Sequence, residues 1–294
     1  MQNCIFETLK SLSLTSIETR ELLSTKTRDL VGVKVWKDMV SGVVYIDDFY
    51  TGDATYVQGA YRNENLNKLK TGDGSWEATS DLQRRFKSSF DLLANKKLVE
   101  FGCGNGDFLR LAAPHSKKTL GIELQENYVD ALNVDGIECV ADLSEVKDDS
   151  FDLCVSFHVI EHLPDPIKTL KQLKTKIVSG GFLLVEVPNA NDFLLSVVGA
   201  QNFKDFTLWS QHLLLHTKHS LKKFLDLAGF ETVFVKGVQR YPLSNHMNWL
   251  RNGKPGGHMS ALSIIDNSSL NAAYEASLAN IDATDTLFAL ARKP

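Results

Sequence analysis

Leu98-Val99-Glu100-Phe101-Gly102-Cys103-Gly104-Asn105-Gly106-Asp107-Phe108-Leu109 is the stretch from which the rest of the chain can be read. A short apolar run ends in an acid, three glycines follow at alternate positions, and the apolar spacing of a helix begins. Glycine accepts positive φ and leaves room for a ligand where a side chain would collide. A helix that starts after such a turn offers free N–H groups to whatever lies there. The stretch therefore reads as a buried strand, a cofactor turn and a helix. Its spacing is GxGxG, without the later glycine that dinucleotide binding uses for close helix-to-strand packing. A nicotinamide or flavin becomes the second choice of tenant.

C-terminal to the turn, strand-like and helix-like stretches alternate. Thr119 to Leu124, Ile137 to Val140, Phe151 to Phe157 and Phe182 to Val187 read as strands. Helices are expected over Tyr128 to Leu132 and Ile167 to Ile177, the latter closed by Ser179-Gly180-Gly181. This rhythm is that of a parallel sheet covered by helices on both faces, and right-handed crossovers make it doubly wound. After Pro188 comes an aromatic insert, 189–217, ending in Gln211-His212-Leu213-Leu214-Leu215-His216. A helix from Ser220 to Ala228 and a strand from Glu231 to Val238 resume the pattern. The segment 240–258 reads as a polar loop, Asn267 to Asn280 as a helix, and Asp285 to Arg292 as a last strand.

N-terminal to the turn, residues 1 to about 30 have helix-compatible leucine spacing, and Val31 to Tyr50 reads as a hairpin about Ser41-Gly42. Residues 47 to 80 carry loop chemistry with Tyr56, Tyr61 and Arg62 embedded in it, the composition of a functional lid. Asp81 to Leu93 is an amphipathic helix with Arg84, Arg85 and Lys87 on its polar side. The organisation expected is an N-terminal extension, 1–80, and a main domain, 81–294, carrying inserts at 189–217 and 240–258.

At 294 residues and 43% hydrophobic content the chain can bury a sizeable core, and its formal net charge of −4 gives no global reason to bind nucleic acid. No apolar run reaches membrane-spanning length and the first residues lack a signal-peptide core, so a cytoplasmic location is expected. Cys4, Cys103, Cys139 and Cys154 are scattered, without CxxC, and read as packed thiols.

Four stations, in order, resemble the class I S-adenosylmethionine-dependent methyltransferases. They are Val99 to Gly106; Gly121-Ile122-Glu123; Ala141-Asp142-Leu143; and Phe151-Asp152-Leu153 through His158-Val159-Ile160-Glu161-His162-Leu163-Pro164-Asp165. The resemblance covers roughly the chain from Asp81 onward. It implies an α/β fold with a doubly wound, seven-stranded Rossmann-like sheet whose last strand is antiparallel, to which this chain adds a mixed α/β N-terminal extension. It implies S-adenosylmethionine as cofactor. Glu100 would serve the cofactor's amino-acid end, Gly102, Gly104 and Gly106 its close approach, Glu123 the ribose, and Asp142 with Leu143 the adenine. Phe101, Cys103, Phe108, Leu124, Phe157 and His158 would complete the cofactor's surroundings.

Phe157-His158 stands where amino-directed DNA methyltransferases carry Asn/Asp-Pro-Pro-aromatic, which argues against DNA base methylation. Pro188-Asn189, the His-ending insert and Leu221 to Phe230 look most like the branch acting on sugars, quinones and other small metabolites. Tyr241 to His258 resembles a segment of bacterial surface-polysaccharide methyltransferases. The expected reaction is therefore O-methylation of a sugar, nucleotide-sugar or glycan hydroxyl. C- or N-methylation, a quinone-type phenol, or a catalytically silent cofactor-binding subunit are the alternatives. His158, Glu161 and His162, at i, i+3 and i+4, are the catalytic candidates, with imidazole a competent base near neutrality. Tyr56, Tyr61, Arg62, His212, His216, Arg240, Tyr241 and His246 are the substrate-side candidates. His-x-x-Glu-His with His212 or His216 is similar to the Glu-x-x-Glu-His set of terminal RNA 2'-O-methyltransferases. Because His158 replaces the first Glu, no metal is expected. The expected partner is a small molecule, with no nucleic acid and no membrane span, and the chain is compatible with a homodimer.

Overall fold

Leu98 and Val99 are both fully buried, yet they join different apolar clusters on opposite faces of one strand. That is the alternation a pleated strand imposes, and a strand buried on both faces must be covered by helices on both sides. The computed structural model describes residues 3–57 and 76–294. The chain opens with helix α1 (Ile5–Ser11), strands β1 (Arg20–Lys26), β2 (Val31–Asp38) and β3 (Val44–Tyr45), and helix α2 (Asp53–Val57). Next come α3 (Trp76–Leu93), β4 (Lys97–Phe101), α4 (Asp107–Ala112), β5 (Lys118–Ile122), α5 (Glu126–Val134) and β6 (Cys139–Val140). They are followed by β7 (Phe151–Phe157), α6 (Pro166–Lys176), β8 (Ile177–Pro188), α7 (Gln201–Thr207), β9 (Leu214–Leu215) and α8 (Lys218–Leu227). The chain closes with β10 (Glu231–Val238), α9 (Leu243–Asn252), α10 (Ser268–Asn280) and β11 (Thr286–Arg292).

The main sheet has seven strands in the order β10-β11-β8-β7-β4-β5-β6. β4 pairs in parallel with β5 and β7, β5 with β6, and β7 with β8. β11 runs antiparallel between β10 and β8, as the resemblance implies. The chain leaves β4 toward β5 and β6, then returns to β7 on the other side. Such a reversal opens a crevice at the carboxyl ends of the strands, between β4 and β7. One face of the sheet packs Leu170 and Leu173 of α6 and Leu221 and Phe224 of α8. The other packs Leu93 of α3, Phe108 and Leu109 of α4, and Leu132 of α5.

A second, four-stranded sheet has the order β1-β2-β3-β9. It joins the N-terminal region to the 189–217 insert, through Val44 paired with Leu215 and Tyr45 with Leu214. Ile5, Leu9, Val35 and Tyr45 belong to the same apolar cluster as Val99 and Val185 of the main sheet.

Four local expectations need correction. Residues 20–26 form a strand instead of a helix: β1 pairs antiparallel with β2, and this cross-strand pairing overrides a leucine spacing that its half-exposed positions never used. The segment 240–258 is not all loop. It contains α9, whose buried face is Ser244, Asn245, His246, Asn248 and Trp249, so a mostly polar inner face conceals the helical period. The helix read from Asp81 starts earlier, at Trp76. Ser179-Gly180-Gly181 lies within β8, where the register with β7 shifts between Phe151 and Leu153, and does not form a separate turn after α6.

Candidate active site

The turn after β4 is fixed by its own backbone. Gly102 N and Cys103 N both donate to Ile122 O of β5, at 2.8 and 3.1 Å. Gly102 has φ 77°. A Cβ there would come within 2.4 Å of Val159 Cγ2, so only glycine lets β4 and the loop after β7 approach this closely. Glu123, buried at the end of β5, accepts from Gly104 N at 2.8 Å and from Gln125 N at 3.1 Å. Two of its oxygens' lone-pair sites are thereby used and the rest stay available, since a carboxylate offers about four. Glu100 is buried beside the turn, and its Oε2 has no hydrogen-bond partner among the described residues. Burial pushes its pKa up to about 8 against the pull of Arg85, so the carboxyl is largely neutral at pH 7.

A cavity of about 400 Å³ opens at this crevice, within the range of small-molecule sites. Phe101, Gly102, Glu123, Leu124, Phe157 and His158 line it from the strand ends, and Tyr50 and Tyr56 from the N-terminal region. Lys168, Thr169 and Gln172 of α6 complete the wall. Phe157 meets Phe108 edge-on at 5.0 Å. Cys103 is buried with its sulfur 3.8 Å from that of Cys139. Asp142 and Leu143 do not line this cavity. Leu143 is in the core, and Asp142 caps the following 3-10 turn, accepting from Ser144 N at 2.7 Å while Glu145 accepts from Asp142 N at 2.9 Å.

His158, Glu161 and His162 do converge, though not as one helical face. His158 has φ 55° and precedes a 3-10 turn, Ile160 to His162. Its N–H donates to Glu186 O at 2.8 Å. Its Nδ1 lies 3.1 Å from Glu161 Oε1 and its Nε2 3.2 Å from Glu186 Oε1. Burial and nearby Arg240 both oppose a charge on this ring, but the two carboxylates outweigh them and raise its pKa. Glu161 is fully buried. Burial opposes its charge, yet His158, together with His162, draws it down to about 2. His162 Nδ1 is 2.9 Å from Gln211 O, a carbonyl that can only accept, so Nδ1 carries the proton and Nε2 is the basic nitrogen. That nitrogen lies 4.0 Å from Glu161 Oε1, and His162 lines the cavity.

Behind His158 lies an ion-pair chain that sequence reading missed. Arg84 Nη1 and Arg85 Nη2 reach Glu186 at 2.7 and 2.6 Å, and Arg84 Nη2 reaches Asp81 at 2.9 Å. Arg240 clasps Asp81 through Nε, 3.0 Å from both carboxylate oxygens. Arg84 and Arg85, read from the sequence only as the polar side of an amphipathic helix, thus turn inward onto a buried carboxylate. A signal was available, because Glu186 is the lone charge in the twelve residues of β8.

The substrate-side candidates scatter. Tyr56 lines the cavity and stands 5.9 Å from the His162 ring. His212 lies 5.0 Å from His162, ring to ring, and burial lowers its pKa to about 3. Glu161, His162 and His212 bring one ligand-type atom each within 4.8 Å of one another, a grouping compatible with a metal ion. His216 is a core residue, its Nδ1 3.0 Å from Ser220 Oγ in the α8 cap and its ring edge-on to Phe224. His246 meets Tyr274 Oη at 2.6 Å and stacks on Phe193. Arg240 and Tyr241 line a separate cavity of about 290 Å³, with Trp76, Arg84 and Tyr274. Tyr61 and Arg62 lie outside the described residues.

Residues 77–235, just over half of the chain, match the family model described as "Methyltransferase domain". The chain belongs to this methyltransferase family. It is an S-adenosylmethionine-dependent methyltransferase, and S-adenosylmethionine is its cofactor. The methyltransferase is 25% identical over 173 residues to the "Ubiquinone biosynthesis O-methyltransferase" of Paraburkholderia phymatum, covering 52% of this chain and 72% of the relative. With the protein of the same description from Acinetobacter baylyi it shares 26% identity over 180 residues, 54% of this chain and 72% of the relative. Among solved structures, a chain of the complex between the Haloferax volcanii Trm112 methyltransferase activator and a methyltransferase superposes with TM-score 0.52. The identity is 15%, over 79% of this chain and 99% of that one. Haemonchus contortus phosphoethanolamine N-methyltransferase 2, in complex with S-adenosyl-L-methionine, superposes with TM-score 0.51. Its identity is 16%, over 85% of this chain and 63% of that one. At these identities the likeness is one of fold. No helix among the described residues is long and apolar enough to cross a membrane.

Proposed function

We propose that this methyltransferase methylates a hydroxyl group of a quinone-type phenol, with His162 as the base and Glu161 as the carboxylate that stabilises its charged form. The observation that carries the reading is the His162 ring on the cavity wall, its Nδ1 pinned to the Gln211 carbonyl and its Nε2 beside a carboxylate held ionised. The phenol comes from the relatives, whose printed descriptions are ubiquinone O-methyltransferases, and the aromatic lining of Tyr50, Tyr56, Phe101 and Phe157 suits a flat ring. The sugar acceptor expected from the sequence gains no support from those relatives.

The residues at the turn fit the cofactor. Gly102 leaves space at the backbone, Glu100 is a buried carboxyl beside the turn that a bound ammonium group would draw into its charged form, and Glu123 retains acceptor sites for a pair of hydroxyls. S-adenosylmethionine, when bound, supplies a methyl group on a cationic sulfur that is a good leaving group. The chain's part is to seat the acceptor oxygen, keep water out and take one proton. His162 accepts the hydroxyl proton at Nε2, and Glu161 offsets the positive ring that results. His158, flanked by carboxylates at both nitrogens, is a poor base and a good brace for Glu161.

The test is turnover of the purified chain with methyl-labelled cofactor and two acceptor panels, catechol-type phenols and hydroxylated sugars. Methylated phenol is expected, with kcat reduced about 100-fold or more in His162→Gln. Label transferred to sugars alone, or an undiminished kcat in that variant, overturns the reading.

A further inference from the structure

We propose that Glu186 is a positioning residue for the Glu161–His162 pair: its carboxylate and its backbone carbonyl together hold His158, and His158 in turn holds Glu161. The inference rests on the reading of His162 as the base and extends the machinery to a residue on a different strand.

Glu186 is fully buried near the carboxyl end of β8. A buried carboxylate is costly unless it is paired and hydrogen-bonded, and apolar side chains of similar volume often stabilise a core at least as well as a buried ion pair. Here two arginines from α3 are committed to one glutamate. Arg85 reaches Oε1 through Nε at 2.9 Å and Nη2 at 2.6 Å, and Arg84 reaches Oε2 at 2.7 Å. Such a clamp fixes the orientation of the carboxylate, because a guanidinium fork is rigid and planar. What the fixed carboxylate faces is the ring of His158, whose Nε2 lies 3.2 Å from Oε1 in an ion-pair contact that is not aligned as a hydrogen bond.

The same residue also governs the His158 main chain. A non-glycine residue at φ 55° is disfavoured unless its surroundings hold it, and the N–H of His158 is held by Glu186 O at 2.8 Å. Main chain and ring are therefore tied to one residue. The remaining ring nitrogen, Nδ1, is 3.1 Å from Glu161 Oε1. Among the described residues, Glu161 has no other charged side-chain partner nearer than His162 Nε2 at 4.0 Å, and its Oε2 has no hydrogen-bond partner. His158 is thus the hydrogen-bonding anchor of Glu161, and Glu186 is the anchor of His158. Among the described residues, the charged and titratable groups around that ring include Glu161 on its own turn, Glu186 on β8, Arg240 after β10, His212 of the insert, and Arg84 and Arg85 behind Glu186.

The experiment uses the full chain with nitrogen-15-labelled histidine, at neutral pH, as wild type and as Glu186→Gln. Glutamine keeps the volume and removes the charge. Because a carboxylate oxygen stands 3.1 Å from Nδ1 and another 3.2 Å from Nε2, the wild-type His158 ring is expected to show two protonated nitrogens, and the variant ring, with one of those charges removed, only one. In turnover, kcat of Glu186→Gln falls about tenfold or more while KM for S-adenosylmethionine stays within about twofold, because the Gly102 turn and Glu123 are untouched. Glu186→Asp, which keeps the charge, recovers part of kcat. A merely structural role would lower the amount of folded enzyme without altering the ring signature. A wild-type His158 ring with one protonated nitrogen overturns the proposal, and does so even if Glu186→Gln fails to fold. So does a folded Glu186→Gln with unchanged kcat. If His162→Gln retains full kcat, the function reading falls by that result alone, while the ring signature is still read without turnover.

Discussion

A single methyl group at Gly102 tests the cofactor turn. Gly102→Ala places a side chain at φ 77° and 2.4 Å from Val159 Cγ2, and left-handed backbone alone costs an L-residue about 1–2 kcal/mol. Affinity for S-adenosylmethionine by calorimetry is expected to fall about tenfold or more, and an unchanged affinity would show that β7's loop can give way. At this scale the sequence spoke clearly wherever one residue type was physically compelled. The glycines announce a turn that no other residue makes, and Glu123 sits where a strand end meets the crevice. Residues whose meaning depends on partners far along the chain were silent. Arg84 and Arg85 have the composition of a solvated helix face until Glu186, about one hundred positions away, draws them inward. His216 looked like a site residue beside His212, yet four positions carry it from the ring cluster into the α8 cap.

The elements show the same division. Thr217 caps α8, accepting from Ser220 N, while the Ser220 hydroxyl accepts from Thr217 N at 2.9 Å. Thr217→Ala removes that cap and should lower stability by about 1 kcal/mol, read from the midpoint of urea unfolding at constant slope. The effect should be confined to stability, with the cofactor affinity unchanged. Elements with a strong period or a continuous apolar run, β4, β7, β8 and α8, were legible because their burial follows from their own residues. β1 was not, since its seven residues include no buried one and its shape is borrowed from β2. α9 was not, since Asn245 and Asn248 spend their side chains on the backbone that follows, accepting from Gly256 N and donating to Lys254 O and Pro255 O. Buried amides of this kind read as loop.

Across the whole molecule, buried acids and buried histidines set opposing pH limits. Burial lifts Glu100 to about 8, and lifts Asp192, with help from Asp285, to about 7. Their folded forms hold protons that the unfolded chain releases, so their contribution is fully present below the ordinary carboxyl range and is lost as pH rises through the folded values. His216 and His246 are lowered by burial to about 3 and about 4. Their contribution is present above the ordinary histidine value and is lost as pH falls toward the folded ones. Melting temperature of the cofactor-free chain is expected to peak near pH 6–6.5 and to decline toward pH 8.5, with Glu100→Gln flattening the alkaline side. A melting temperature that climbs steadily to pH 8.5 contradicts this assignment. The four-stranded sheet adds a consequence in time. β3 and β9 are paired across about 170 positions of sequence, and closing so long a loop must await the formation of the main sheet between them. The N-terminal strands should then be the last to acquire, and the first to lose, protection from hydrogen exchange. Tyr50 and Tyr56, which follow β3, are wall residues of the cavity. The walls of the site are therefore finished after its floor.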